Sequence, residues 1–201
     1  MKTALIAATV VVLGAALALG LKQAANSNPT TTQTAITASA SEVRAKLAGS
    51  PPALAALHAQ GGQVLGGGQR ALKARLARLK GHPAVVNVWA SWCGPCNQEA
   101  PVLQRVTLDR GRDVAFVGVD LKDSSSGARR FLRRYPNTYP SYADPNGRIY
   151  DSYKVVGVPS TVFYDSTGRQ QYVHQGPYLT EKDLENDIDR YALGRNVTQA
   201  S

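Results

Sequence analysis

The chain has 201 residues, 43% of them hydrophobic, with 23 Lys and Arg against 14 Asp and Glu for a formal net charge of +9. That apolar content excludes a disordered chain, and the length allows one packed domain plus extensions. The basic balance leaves three readings open: nucleic acid, an anionic membrane surface, or a solvated basic face. No recognisable nucleic-acid module accompanies the charge, so no nucleic-acid partner is expected.

Residues 3–21 carry no charge, and nineteen such residues can span a bilayer as a helix. Lys2 and the N-terminal amine precede them, which predicts a cytoplasmic N-terminus and an exported remainder. The alternative is a cleaved signal peptide with Ala16-Leu17-Ala18 as its small-x-small site. The length of the run favours a retained anchor over residues 1–21, so the protein is predicted at the cell membrane, single-pass, or secreted if the segment is cleaved. Residues 22–40 are polar, Thr-rich and aperiodic, which reads as a flexible linker. The domain is predicted over 41–193, with a tail at 194–201.

Within the domain, Ser41 is predicted to cap a short helix through Leu47, and Pro51-Pro52 to open another through Gln60. Residues 63–65 read as an edge strand. Leu72, Leu76 and Leu79 form an i, i+4, i+7 stripe, with Lys73, Arg75, Arg78 and Lys80 on other faces. This is an amphipathic helix whose basic face is either solvated or set against anionic lipid.

Residues 84–89, Ala-Val-Val-Asn-Val-Trp, have strand propensity and run almost continuously apolar. That pattern suits a central strand buried on both faces. Trp92-Cys-Gly-Pro-Cys96 follows, then a polar segment of helical character. Cys93 and Cys96 are the only cysteines. Separated by two residues, they can share one helical turn and meet in a disulfide. A helix beginning near Cys93 favours a thiolate there through its free N–H groups and dipole. Pro95 fits a first turn, and Gly94 keeps that turn free of crowding. A structural zinc site usually takes four ligands, and His58, His82 and His174 are scattered without ligand spacing. A structural bridge across so small a loop would constrain the unfolded chain little. The pair therefore reads as a reactive dithiol that needs no cofactor and no metal.

The dithiol helix is predicted to run to about Arg110, kinked at Pro101. Residues 113–120 read as a second central strand. A helix through Phe131 and Leu132 follows, with Arg129, Arg130, Arg133 and Arg134 outward. Residues 136–145 read as turn-rich, with Tyr135, Tyr139 and Tyr142 as packing. A short helix over 149–155 precedes Val158-Pro159. Residues 160–165 and 170–175 form a hairpin. Thr180 and Asp183 resemble a capping box for a last helix to Leu193. Alternating strands and helices argue for an α/β sheet.

Three motifs carry a resemblance. Asn87-Val-Trp-Ala-Ser-Trp-Cys-Gly-Pro-Cys96 resembles the dithiol segment of the thioredoxin fold. Gly157-Val-Pro-Ser-Thr161 resembles its cis-proline segment. Cys-x-x-Cys-x-x-Glu99-x-Pro101 is similar to the membrane-tethered, extracytoplasmic TlpA/ResA-like thiol–disulfide oxidoreductases. The resemblance covers roughly residues 63–193. It implies a thioredoxin-like α/β fold: a central mixed β-sheet flanked by helices.

Cytosolic thioredoxins carry a buried acid where this chain has Asn87. In the TlpA/ResA-like group the helix supplies the carboxylate instead. Glu99, three residues past Cys96, shares its helical face and is expected to tune Cys96 and relay its proton. The alternative is a solvated helix glutamate. The resemblance implies Cys93 as the exposed nucleophile and Cys96 as the resolving thiol. Trp92, Gly94, Pro95, Val158 and Pro159 are the expected substrate-binding surface. It further implies a CcdA/DsbD-type membrane electron donor and exported disulfide proteins, such as apocytochrome c, as targets. Gly-Pro between the cysteines is similar to reducing thioredoxins. An oxidase or isomerase running in reverse, a copper-binding module using His174, and a thiol peroxidase are the alternatives.

Overall fold

The computed structural model describes residues 38–196. The predicted membrane or signal segment, nearly all of the linker and the end of the tail lie outside these residues. Among the described residues, no helix is long and apolar enough to cross a membrane.

The first helix, α1 (Ala40–Leu47), begins earlier than the sequence pattern predicts. Ser39, not Ser41, is its cap. The Ser39 hydroxyl accepts from Glu42 N at 3.2 Å, and the Glu42 carboxylate accepts from Ser39 N at 2.7 Å. The reciprocal bond requires an acceptor three residues on. Ser39 has Glu42 there, whereas Ser41 would have Arg44. Helix α2 (Pro52–His58) follows, then β1 (Val64–Leu65), α3 (Gly68–Arg78), β2 (Ala84–Trp89) and α4 (Gly94–Arg110), which continues through Pro101. Next come β3 (Ala115–Leu121), α5 (Ser125–Arg134), β4 (Ser141–Asp144) and α6 (Arg148–Tyr153). The chain closes with β5 (Ser160–Tyr164), β6 (Gln170–Gln175), α7 (Glu181–Asp187) and a π-helical turn, Ile188–Ala192. Thr180 caps α7, accepting from Asp183 N at 3.2 Å. It is the Thr180 hydroxyl, not its backbone N–H, that donates to the Asp183 carboxylate, at 2.6 Å.

The six strands form one mixed sheet in the order β1-β4-β3-β2-β5-β6. The first four are parallel, β5 runs antiparallel to β2, and β6 runs antiparallel to β5. Strand β4 corrects the turn-rich reading of 136–145. Its four residues lie just after Pro140 and just before Pro145, so local sequence signals a turn. Pairing with β3 on one side and β1 on the other makes it a strand.

Every residue of β2 and β3 is buried, as expected for central strands. Alternation sorts their side chains into two cores. Ala84, Val86 and Val88, with Ala115, Val117, Val119 and Leu121, pack under Leu54, Leu57, Leu72 and Ile149 of α2, α3 and α6. On the opposite face Val85 and Phe116 meet Val102 and Val106 of α4 and Leu184 and Ile188 at the C-terminus. Trp89 stacks on Phe131 of α5, with ring centroids 4.4 Å apart, beside both cysteines. The result is a sheet with helices on both faces, and α4 and α5 share the face that carries Asn87. Gly118 makes room in this face: a Cβ there would lie 2.1 Å from Ser141 Oγ and 3.0 Å from Trp89 Nε1. Trp89 Nε1 donates to that Ser141 hydroxyl at 3.1 Å.

Candidate active site

Cys93 is the N-cap of α4, with extended backbone at φ −84° and ψ 110°. It is disulfide-bonded to Cys96, one helical turn inward. Cys96 N donates to Cys93 Sγ at 3.1 Å. The sulfur therefore occupies the place of a capping oxygen, where a helix terminus offers N–H groups and the positive end of its dipole. That environment favours Cys93 as a thiolate once the bridge is reduced. Pro95 falls in the first turn, where its missing N–H is no loss.

Two expectations change here. Cys93 is buried, at 4% exposure against 1% for Cys96, so its sulfur is reached at the surface only over a small area. Gly94 is not required by crowding either, because a Cβ there would meet nothing within 4 Å. Around the sulfurs, Trp92 is 58% exposed, Val158 is half-buried and Pro159 is buried. Trp92 Nε1 donates to the Lys122 carbonyl at 3.3 Å. The Val158–Pro159 bond is cis. The Val158 carbonyl lies 3.5 Å from Cys93 Sγ. In the bridged state that sulfur has no proton to donate, so this is a contact; the reduced thiol can donate to it.

Glu99 is 1% exposed, not solvated. One turn beyond Cys96, it points at the row where the sheet places Gly118, Asn87, Thr161 and His174 side by side. Asn87 Nδ2 donates to Glu99 Oε2 at 3.1 Å and to Thr161 Oγ1 at 3.3 Å. Tyr178 N donates to Glu99 Oε1 at 3.2 Å. Burial raises the Glu99 pKa to about 7, and the two donors pull in the opposite direction. A carboxyl near that value can take or give a proton at neutral pH.

Two supporting clusters have no signature in the sequence. Tyr178, which fixes Glu99 through its backbone, is itself held. Its hydroxyl donates to Asp187 Oδ2 at 2.5 Å, and its ring stacks on His174 at 4.0 Å. Burial pushes the Tyr178 phenol up and the His174 imidazole down, the latter opposed by Asp187. His174, the third ligand of the copper alternative, thus lies against Tyr178 and 3.8 Å from Asp187. On the other side, Asp123 anchors the loop before Cys93. It accepts from Ser91 N at 2.6 Å, Ser91 Oγ at 2.8 Å and Ser124 N at 2.7 Å. Only Glu99, by its spacing from Cys96, and Asn87, by standing where an acid is usual, are marked in the sequence.

Comparison with known proteins agrees with the geometry. The Redoxin family model matches residues 69–188, inside the span of the resemblance. The thiol:disulfide interchange protein CycY of Rhizobium leguminosarum is 39% identical over 102 residues, half of this chain and 54% of that protein. The thiol-disulfide oxidoreductase ResA of Oceanobacillus iheyensis is 32% identical over 123 residues, 61% of this chain and 64% of that protein. The chain thus spans between about half and two thirds of these relatives. Among solved structures, MTB dsbF aligns with a TM-score of 0.52 and 32% identity, covering 56% of this chain and 82% of that one. The chain therefore belongs to the Redoxin family, within the thioredoxin superfamily, and its domain is a thiol–disulfide oxidoreductase domain of the ResA, DsbE and CycY kind.

Proposed function

We propose that the protein is a membrane-anchored disulfide reductase working outside the cytoplasm through Cys93 and Cys96. The observation that carries the catalytic part is the dithiol at the N-terminus of α4 with a buried carboxyl one turn behind it. The Cys93 thiolate attacks one sulfur of a substrate disulfide. A mixed disulfide forms and the first substrate thiolate leaves. Cys96 passes its proton to Glu99, and the Cys96 thiolate attacks Cys93 Sγ. The second substrate thiolate leaves and the Cys93–Cys96 bridge closes. Two electrons have passed to the substrate, and the protein is left oxidised.

Trp92, Gly94, Pro95 and Val158 form the surface on which the substrate rests, and the buried Pro159 sets the backbone beneath it. The relatives named as thiol:disulfide interchange proteins support disulfide proteins as targets, and the TlpA/ResA-like resemblance narrows these to exported ones, apocytochrome c among them. Extracytoplasmic spaces are oxidising, so continued reduction needs electrons delivered through the membrane. A thiol–disulfide transporter of the CcdA/DsbD type fits that need. The apolar run at 3–21 supports the anchor.

The reduction potential of the Cys93–Cys96 pair tests the direction. A value near the thioredoxin level, about −270 mV, is expected; a value near −120 mV would make the domain a disulfide donor. In Cys96→Ser the mixed disulfide should accumulate, whereas Cys93→Ser should trap nothing. Equal trapping by both variants would overturn the assignment of nucleophile and resolving thiol.

A further inference from the structure

Helix α5 has the sequence Ser-Ser-Gly-Ala-Arg-Arg-Phe-Leu-Arg-Arg, with four arginines and no acid. Ala128, Phe131 and Leu132 are buried, and Arg129, Arg130, Arg133 and Arg134 are exposed. A solvated basic helix could lie anywhere on the surface, but this one lies against the redox loop. Gly127 allows it: a Cβ there would lie 2.5 Å from Ser91 Oγ and 2.7 Å from Asp123 Oδ1. Between them lies an open cleft of about 520 Å³ that Phe131 helps to line. Arg130, Arg133 and Arg134 line it together with Ser91 and Asn97.

Ser91 and Asn97 flank the dithiol in the chain. Ser91 is two residues before Cys93, and Asn97 Nδ2 donates to the Cys93 carbonyl at 2.9 Å. No carboxylate lines the cleft. The nearby Asp123 is turned to Ser91 and Ser124, with three donors on its oxygens. Among the described residues Arg130 and Arg133 form no ion pair, and Arg134 lies over the Tyr135 ring at 5.4 Å. Guanidinium groups offer paired N–H donors that match carboxylates. Three of them beside a disulfide-exchange site create a local field that draws an acidic chain to the sulfurs.

We propose that this cleft is a substrate-docking groove for an acidic polypeptide segment flanking the target disulfide. The proposal rests on the reductase reading above and adds a substrate class to it. The open cleft holds three arginines and no carboxylate, which suits the acidic side chains of an extended peptide. The side chains of the segment pair with Arg130 and Arg133 while its disulfide meets Cys93.

The test uses the reduced full chain and two peptides with the same disulfide, one flanked by glutamates and one by glutamines. The readout is the ratio of their second-order reduction rates. At low ionic strength the ratio should be about 10 and should fall toward one at about 0.5 M salt. R130E/R133E should bring the ratio below one. K73E/R78E on α3 changes net charge by the same amount and should leave it near 10. A ratio near one in the wild type, or equal loss in both double variants, overturns the groove while the reductase stands. Failure to reduce either peptide overturns both readings. A ratio near one combined with R130E/R133E-sensitive binding to phosphatidylglycerol vesicles reassigns the arginines to lipid and overturns the groove.

Discussion

Two buried carboxyls flank the dithiol, and the pKa of each is raised to about 7. Glu99 sits behind Cys96, between α4 and the β2–β5 pair. Asp120, 5% exposed, sits at the end of β3 beneath the loop that leads to Cys93. Burial is the largest cause at both sites, yet the surroundings differ. Glu99 has two N–H donors that favour its charged form. Asp120 has Asp123, a like charge that disfavours it, and its Oδ1 has no partner among the described residues. The same pKa thus arises from opposite local electrostatics. A donor-held acid can cycle between two protonation states without losing its place. An acid next to a second acid is stable chiefly as the neutral form, donating its proton to its neighbour. The first suits proton relay, and the second suits fastening a loop.

The largest effect that would sharpen this contrast is the pH dependence of stability. The folded-state pKa of Glu99 is raised to about 7 from an ordinary 4.5. Its stabilising contribution is therefore full below pH 4.5 and lost as pH rises through 7. The integrated loss is on the order of 3 kcal/mol. Denaturant midpoints of the oxidised protein between pH 5 and pH 8 should fall accordingly, and Glu99→Gln should remove that part of the slope. An unchanged slope would mean that Glu99 is not a buried acid with a raised pKa.

Next in size is a kinetic effect. If Glu99 takes the Cys96 proton, Glu99→Gln should slow closure of the bridge at pH 7 by about 10²-fold. The inflection near pH 7 in that step should vanish. Asp120→Asn should change the same step by less than about threefold. Equal slowing by both variants would break the comparison.

A smaller effect has the opposite sign. Asp120→Asn replaces an acid that must ionise beside Asp123 with an amide that can donate to it. The variant should be more stable than the wild type at pH 8 by about 1 kcal/mol, with the advantage gone at pH 5. Loss of stability at pH 8 would show that the Asp120 charge has a use the geometry does not reveal. Smallest is Ser91→Ala. It removes one of three donors to Asp123 and should cost about 0.5–1 kcal/mol in thermal or urea unfolding.

Much of the fold was legible because it is local. The Val-rich run of 84–89 and the strand that followed α4 carry their own propensity, and both are central. Thr180 and Pro95 mark helix starts by chemistry that operates within one turn. Strand β4 was not legible, since its extended form comes from neighbours on both sides. The Ser39 cap was missed because Ser41 offered the same hydroxyl, and only the reciprocal partner separates the two.

The site divides along the same line. The sequence by itself determined the dithiol, its place at a helix N-terminus and the presence of an acid one turn on, because spacing along a helix fixes all three. Only the tertiary structure decided what that acid is. Glu99 meets Asn87 12 residues away and Tyr178 79 residues away. Desolvation comes from segments that close over it when the sheet forms. The same holds for Asp120 and for the arginines of α5, whose closeness to the sulfurs depends on packing between α5 and the redox loop. Residue type and spacing set which groups can react; burial and long-range pairing set their protonation and what can reach them.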